Sequence, residues 1–357
     1  MFDLRRDSIY NVWEKCYTNI CIMGKRVSLK DIANHVGVSV ALVSYVINGQ
    51  EKKKRVSASM VKKIRQAAQK LNYKPNQIAR SLRTGATKTI GLIVADIANP
   101  FFSHLARIIE DEANNYNYTV LIGSCDEDKL KSEVLVNTFL NRQVDGFIIV
   151  PTEGTEKQIR DLIKEKTPIV LLDRFFPEIN SSYVILDNYQ ATYEATSYLT
   201  DKGYKKIVLI AYKTYQIHME ERIRGYVEAM EKTGLTSYRC VKKIRFNNME
   251  ADMDKTFSEL FIEPGKTDAI IFATNTLSIS GLFCAQKMDI LIPDNLSFIG
   301  FDGGDCFDLY PSPLSYVKQP LEEMGKEAFI VLLDLIKGSK KTSHVILNPS
   351  LIIRKSC

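Results

Sequence analysis

Three patterns of apolar and polar positions follow one another along the chain. Residues 1–24 have no clear period. Over 27–73, apolar residues fall three to four apart in short runs without strand-like alternation, which predicts three helices. From Thr89 onward, continuous apolar runs alternate with amphipathic helical stretches. The runs are Ile90–Val94, Thr119–Ile122, Gly146–Val150, Ile169–Leu172, Ile207–Ile210, Ala269–Phe272 and Leu296–Ile299. A strand that is apolar on both sides must be covered on both faces, as in parallel sheets flanked by helices. Seven such units predict two doubly wound parallel sheets with a cleft between them. The fold class expected is a small all-α domain followed by a larger α/β domain of two subdomains.

Within the helical part, the segment Leu29–Asn48 satisfies the spacing rules of a helix-turn-helix. Ala33 is small where two helices cross. Gly37, four residues on, supplies the positive φ of the turn. Ser39 can cap the second helix, and Val43 returns apolar bulk to the shared core. This places Ile32, Val36, Val38, Leu42, Val43 and Val46 inside. Val40, Ala41, Ser44 and Tyr45 then face outward, with Asn48 at the end of the same helix, where base edges would be met. A third helix begins at Ser57, a natural N-cap, and repeats apolar residues at Val61, Ile64, Ala68 and Leu71.

Charge separates the same two parts. Residues 25–88 hold fifteen Lys/Arg against two acids, a net of +13, whereas 89–357 hold 30 basic and 37 acidic residues, a net of −7. A small basic module joined to a mildly acidic larger one fits a polyanion binder that carries its own ligand domain; a solvated basic face would carry the same charge. No apolar run approaches the roughly 18 residues of a membrane span, and Ile20–Met23 is too short for the core of a secretory signal. Seven cysteines without a CxxC pair suggest reduced thiols in a cytoplasm. The four histidines lie far apart, so neither a metal nor another cofactor is expected. The chain has no GxxxxGK[ST], GxGxxG, GxSxG or HExxH motif, which argues against an enzyme.

Residues 27–91 resemble the lactose/galactose repressor (LacI/GalR) family through the stretches VSLKDIANHVGVSVALVSYVIN, RVSASMVKKIRQAAQKLNYKPNQIARSLRTG and KTIGLIV, and the similarity continues to the C-terminus. The resemblance implies that 25–74 is the DNA-reading domain and 75–88 a hinge helix and linker. Pro75–Leu82 would become ordered on DNA and enter the minor groove, with Ala79, Arg80, Leu82 and Arg83 in contact and Leu82 as the wedge that parts a base step. A leucine between two arginines, on a helix too short to persist alone, suits that task. Two features depart from the family pattern. Tyr45 stands where many relatives carry Arg, and Glu51–Arg55 is an unusually basic loop, with Arg55 expected on a phosphate. Residues 1–22 are expected to be an upstream extension or a misassigned start.

From Thr89 the chain is similar to the periplasmic sugar-binding proteins, especially those for ribose. By that similarity ANPFF supplies Asn99, Phe101 and Phe102, LLDR supplies Asp173 and Arg174, and EERIRGY supplies Arg222. FATN supplies Asn275, GFDG Asp302 and VKQP Gln319, while Thr276 replaces a frequent Asp. Most of these lie at or just beyond the C-terminal end of a predicted strand, where open α/β sheets bind ligands. Carboxylates and guanidiniums for vicinal hydroxyls, with aromatic rings for an apolar face, make up a sugar-binding set. One subdomain is expected over 89–187 and about 317–341, the other over 188–316 and about 342–357, with crossings near Asp187, Tyr316 and Lys341. The expectation is a homodimeric, cytoplasmic regulator, a repressor whose operator DNA binding is controlled by a small neutral sugar. An exported binding protein for transport or chemoreception would lack residues 27–85.

Overall fold

The computed structural model describes residues 27–74, 85–262 and 267–357. The chain divides into two compact units, one ending at Thr84 and the other running from Gly85 to Cys357.

The first unit contains three described helices: α1 (Leu29–Val36), α2 (Val40–Ile47) and α3 (Ala58–Lys70). Local chemistry fixes their ends. Ser28 and Asp31 form a reciprocal capping box at the start of α1. Gly37 ends it with φ 77° in left-handed backbone, where a Cβ would be strained. Ser39 and Ser57 accept from backbone N–H groups three residues on and start α2 and α3. The core is Ile32, Ala33, Val43, Val46, Ile64, Ala67 and Ala68, while Val36, Val38 and Leu42, expected inside, are only partly buried around it.

The second unit starts ahead of Thr89. The Asp145 carboxylate accepts from the backbone N–H groups of Thr87 and Lys88 at 2.7 and 2.9 Å and pins the entry into β1 (Thr89–Val94). The chain continues through α4 (Pro100–Asn115), β2 (Thr119–Ser124), α5 (Lys129–Asn141), β3 (Phe147–Ile149), α6 (Glu156–Lys164), β4 (Ile169–Leu172) and β5 (Ser182–Leu186). It then builds a second set: α7 (Asn188–Asp201), β6 (Ile207–Tyr212), α8 (Ile217–Lys232), β7 (Cys240–Ile244), α9 (Met249–Phe261), β8 (Ala269–Phe272), α10 (Asn275–Lys287), β9 (Ser297–Phe301), α11 (Asp305–Leu309) and β10 (Ser315–Lys318). Helix α12 (Leu321–Ile336) and strands β11 (His344–Leu347) and β12 (Ser350–Ile352) complete it.

One sheet has the order β11-β5-β4-β3-β1-β2 and the other β12-β10-β9-β8-β6-β7. All pairs are parallel except β10 with β12. Alternate residues of each central strand enter opposite cores, as a strand buried on both faces requires. Leu92 and Val94 point one way and Ile93 the other; in the second sheet Leu209 and Val208 divide likewise.

The chain passes between the sheets three times. The first passage is at Asp187, between β5 and α7. The second follows β10, at Gln319–Pro320, and the third falls between Leu347 and Ser350. The boundaries expected near Tyr316 and Lys341 are thereby corrected. Tyr316 is still paired in the second sheet, and His344–Leu347 extends the first by pairing in parallel with Tyr183–Leu186. The physical reason is that backbone pairing, which has no composition signal in so short a strand, holds β11 after the Lys340–Lys341 loop.

Candidate functional site

The Asp-containing loops after β4 and β9 occupy equivalent places in the two sheets. Asp173 and Asp302 each follow directly on the last strand residue with positive φ, 67° and 68°. Their N–H groups donate to the neighbouring strands, at Val184 O (2.9 Å) and Val317 O (2.8 Å). Asp tolerates left-handed backbone better than most residues, and the turn stops pairing and aims each carboxylate out of the sheet end. The Asp173 side chain is buried and that of Asp302 partly so. Burial pushes the Asp302 carboxyl up to about 6, against the pull of Arg222 and the Gln319 hydrogen bond. Burial raises Asp173 too, opposed by Arg174 and Arg222.

These carboxylates line a cavity of about 520 Å³. Its wall also contains Asn99, Phe101, Phe102, Arg174, Arg222, Asn275 and Gln319, so all nine residues singled out from the sequence meet in one place. The structure assigns several of their polar atoms internal work. Asn99 caps α4, its Oδ1 accepting from Phe101 N at 3.0 Å. Phe101 and Phe102 pack edge to face at 4.9 Å and 77°. Arg222 projects from the second turn of α8, donates from Nε to Asn188 Oδ1 (2.8 Å) and from Nη1 to Ala273 O, and lies 3.8 Å from the Phe301 ring centroid. Asn275, at the start of α10, donates to Gly303 O at 2.8 Å. Gln319 donates through Nε2 to Asp302 Oδ1 at 2.8 Å.

Three further lining residues escaped the sequence reading. Glu127, in the loop after β2, grips both Nη atoms of Arg174 at 2.9 and 2.7 Å. His218 is buried one helical turn before Arg222 on α8; burial, then Arg174 and Arg222, hold it neutral, well below the ordinary histidine range. Tyr212, at the end of β6, lies 5.5 Å from Phe246 with the rings inclined at 59°, and both rings line the cavity. The i, i+4 spacing of His218 and Arg222 was the one available signal for the histidine. Three buried polar atoms around the cavity lack a hydrogen bond: Gln319 Oε1, His218 Nδ1 and Arg174 Nε, the last 3.4 Å from Asp173 Oδ2 in an ion pair. Such atoms are costly to leave unpaired.

In the first unit, Val40, Ala41 and Asn48 are exposed on α2, whereas Ser44 and Tyr45 are half-buried rather than fully outward. Asn48 donates from Nδ2 to Ser44 O (2.7 Å) and Ser44 Oγ (3.1 Å), fixing the helix end. The turn 51–55 brings Lys54 Nζ to 5.2 Å from the Tyr45 ring centroid, with Arg55 exposed beside it. Ala79, Arg80, Leu82 and Arg83 lie outside the described residues, as does 1–26. Among the described residues no group of three or more metal-ligating side chains converges, and no helix is long and apolar enough to cross a membrane.

Comparison with known proteins gives a consistent picture. Residues 28–76 match the family described as bacterial regulatory proteins, lacI family, and 196–357 match a periplasmic binding protein-like domain. The chain is 30% identical over 335 residues to the HTH-type transcriptional repressor CytR of Escherichia coli (strain K12), covering 92% of this chain and 96% of that one. It is 30% identical over 327 residues to catabolite control protein A of Priestia megaterium, covering 90% and 96%. Among solved structures, the lac repressor dimer bound to operator and the anti-inducer ONPF superposes with a TM-score of 0.81 at 21% identity, covering 93% of this chain and 99% of that chain. A LacI family transcriptional regulator from Enterococcus faecium with bound ribose gives 0.67 at 25% identity, covering 75% and 98%.

Proposed function

The chain belongs to the lacI family of bacterial regulatory proteins and is a DNA-binding transcriptional regulator under allosteric control; we propose that its effector is a small neutral carbohydrate bound in the 520 Å³ cavity. The observation that carries this reading is the trio of buried atoms without a hydrogen bond, Gln319 Oε1, His218 Nδ1 and Arg174 Nε, in a site whose buried arginines already have acidic or backbone partners. A ligand that both donates and accepts hydrogen bonds from several positions, without bringing charge, satisfies them best. Asp173 and Asp302 accept from hydroxyls, and Asn99, Asn275, Arg174 and Arg222 provide further polar contacts. Phe101 and Phe102 offer an apolar wall to C–H groups. The lining aromatics pair edge to face or tilted, an arrangement that suits a puckered sugar better than a flat base. The Enterococcus faecium regulator, 25% identical, holds ribose, which supports a pentose or hexose.

In this reading the protein acts in the cytoplasm as a homodimer on a near-palindromic operator, as twofold symmetry would dictate. Val40, Ala41, Ser44, Tyr45 and Asn48 meet base edges and Arg55 meets phosphate, while Ala79, Arg80, Leu82 and Arg83 of the hinge enter the minor groove. Effector binding alters the angle between the two sheets and so biases hinge ordering. Calorimetry on the full chain with neutral pentoses and hexoses, nucleobases and sugar phosphates tests the proposal. Micromolar or tighter binding of a neutral sugar is expected; tight binding of a nucleobase or sugar phosphate with no response to any neutral sugar overturns it.

A further inference from the structure

The sequence presents Arg174 as a clamp for the ligand, but the structure shows its fork already filled. Both Nη atoms donate to the two oxygens of Glu127, at 2.9 and 2.7 Å, in the bidentate geometry that is the strongest a guanidinium makes. Only Nε is left without a hydrogen-bond partner, 3.4 Å from Asp173 Oδ2. Glu127 has no other evident reason to be there. It sits with φ 57° in the loop after β2, its N–H donating to Ala95 O at 3.2 Å, and its partly exposed side chain reaches from the cavity edge to the buried arginine.

The other cations of the cavity offer no alternative fork: Lys213, which also lines it, is a point charge, and the two remaining arginines are already engaged. Arg222 is engaged through Nε and Nη1 and stacked on Phe301. Arg245 is held by Asp252 through Nε and Nη2. Around Arg174 and Arg222, the partly exposed Glu127 and the carboxylates of Asp173 and Asp302 set three acids against two guanidiniums. An anionic ligand would meet a surplus of negative charge at reduced local dielectric, and no guanidinium whose fork is wholly unengaged.

We propose that Glu127 is a specificity-determining residue: by occupying the fork of Arg174 it closes the effector site to phosphorylated or acidic sugars and reserves it for neutral ones. The proposal rests on the effector reading given above and adds the residue that enforces it. Replacing Glu127 by serine vacates the fork and lowers the surplus by one charge. A site that rejects anions then becomes one that can hold them.

The test uses the full-length chain with inorganic phosphate, D-ribose and D-ribose 5-phosphate as probes, read by calorimetry and by thermal shift. Glu127→Ser is expected to bind phosphate and the sugar phosphate at least about tenfold more tightly than the parent, since a charge-assisted contact of that size is regained. Adding Arg174→Gln to that variant should abolish the gain. Glu127→Ala, which also vacates the fork, is the second variant should the serine fail to fold. A folded Glu127 variant with no gain in anion binding overturns the proposal, as does a gain that survives Arg174→Gln. A parent chain that binds no neutral sugar counts against the effector reading; an absent gain in a variant that still binds one counts against Glu127 alone.

Discussion

At the residue scale the cavity depends on charges that balance one another away from water. Arg222 is the hub: it is buried, shares its N–H groups with Asn188 and Ala273, and faces Asp173 and Asp302 electrostatically. Truncating it leaves two buried carboxylates short of a counter-charge, so Arg222→Ala should cost about 2–5 kcal/mol of effector affinity. Calorimetry checks this, and an unchanged Kd would remove Arg222 from the site. Asp302 makes a sharper prediction because burial raises its carboxyl to about 6. Between its ordinary value and 6, the folded chain keeps a proton that the unfolded chain has lost. This group's contribution to stability therefore declines as pH rises through that window and is level above it. A sugar hydroxyl donating to Asp302 favours the ionised form. Effector affinity should rise between pH 5 and 7, by at most about tenfold per unit, and flatten above. Asp302→Asn should lose that part of the pH dependence. Equal affinity of the parent at pH 5 and 7.5 would show that Asp302 does not receive the effector.

At the element scale the same arginine is held by a helix crossing. Helices α7 and α8 approach so closely that a Cβ on Gly225 would lie 2.2 Å from Tyr189 O. Thr192 Oγ1 also donates to Arg222 O at 2.6 Å across the same crossing. Gly225→Ala must part the helices and shift Arg222. The variant should lose both thermal stability, by roughly 1–3 kcal/mol, and effector affinity, though Gly225 is no part of the cavity wall. A variant as stable as the parent would mean that the crossing gives way freely. The hinge yields a complementary prediction: Leu82→Ala should bind operator weakly and bend it little while binding effector normally, which gel-shift and calorimetry together would report. These elements were unequally legible in the sequence. Asp173 and Asp302 were reached through the resemblance to sugar-binding proteins, and their place at the end of apolar runs agreed with it. Strands β5, β7, β10, β11 and β12 did not stand out, since they are short, lie toward sheet edges or carry charges, as in Cys240–Ile244, and exist through pairing rather than composition. Glu127 was invisible for a related reason: what matters is its reach to Arg174, and a loop acid gives no sign of that before folding.

At the scale of the whole molecule, charge divides the labour. The net +13 of residues 25–88 faces a net −7 over 89–357, so phosphate contacts are expected from the first part alone. Each neutralised phosphate releases counterions and steepens the dependence of log affinity on log salt by about 0.9. Operator binding should therefore weaken strongly with salt, and a nearly flat titration would rule the basic unit out as the DNA contact. Arg55 refines the argument. It is exposed on the turn 51–55 next to Lys54, whose Nζ lies 5.2 Å from the Tyr45 ring centroid. A phosphate contact there positions the helix without reading bases. Arg55→Gln should accordingly reduce the salt slope by about 1 and weaken operator and unrelated DNA alike, leaving their ratio unchanged. Gel-shift titrations against operator and a scrambled duplex at several salt concentrations measure both quantities. A variant that keeps its slope but discriminates less between the two sequences would place Arg55 on a base edge instead.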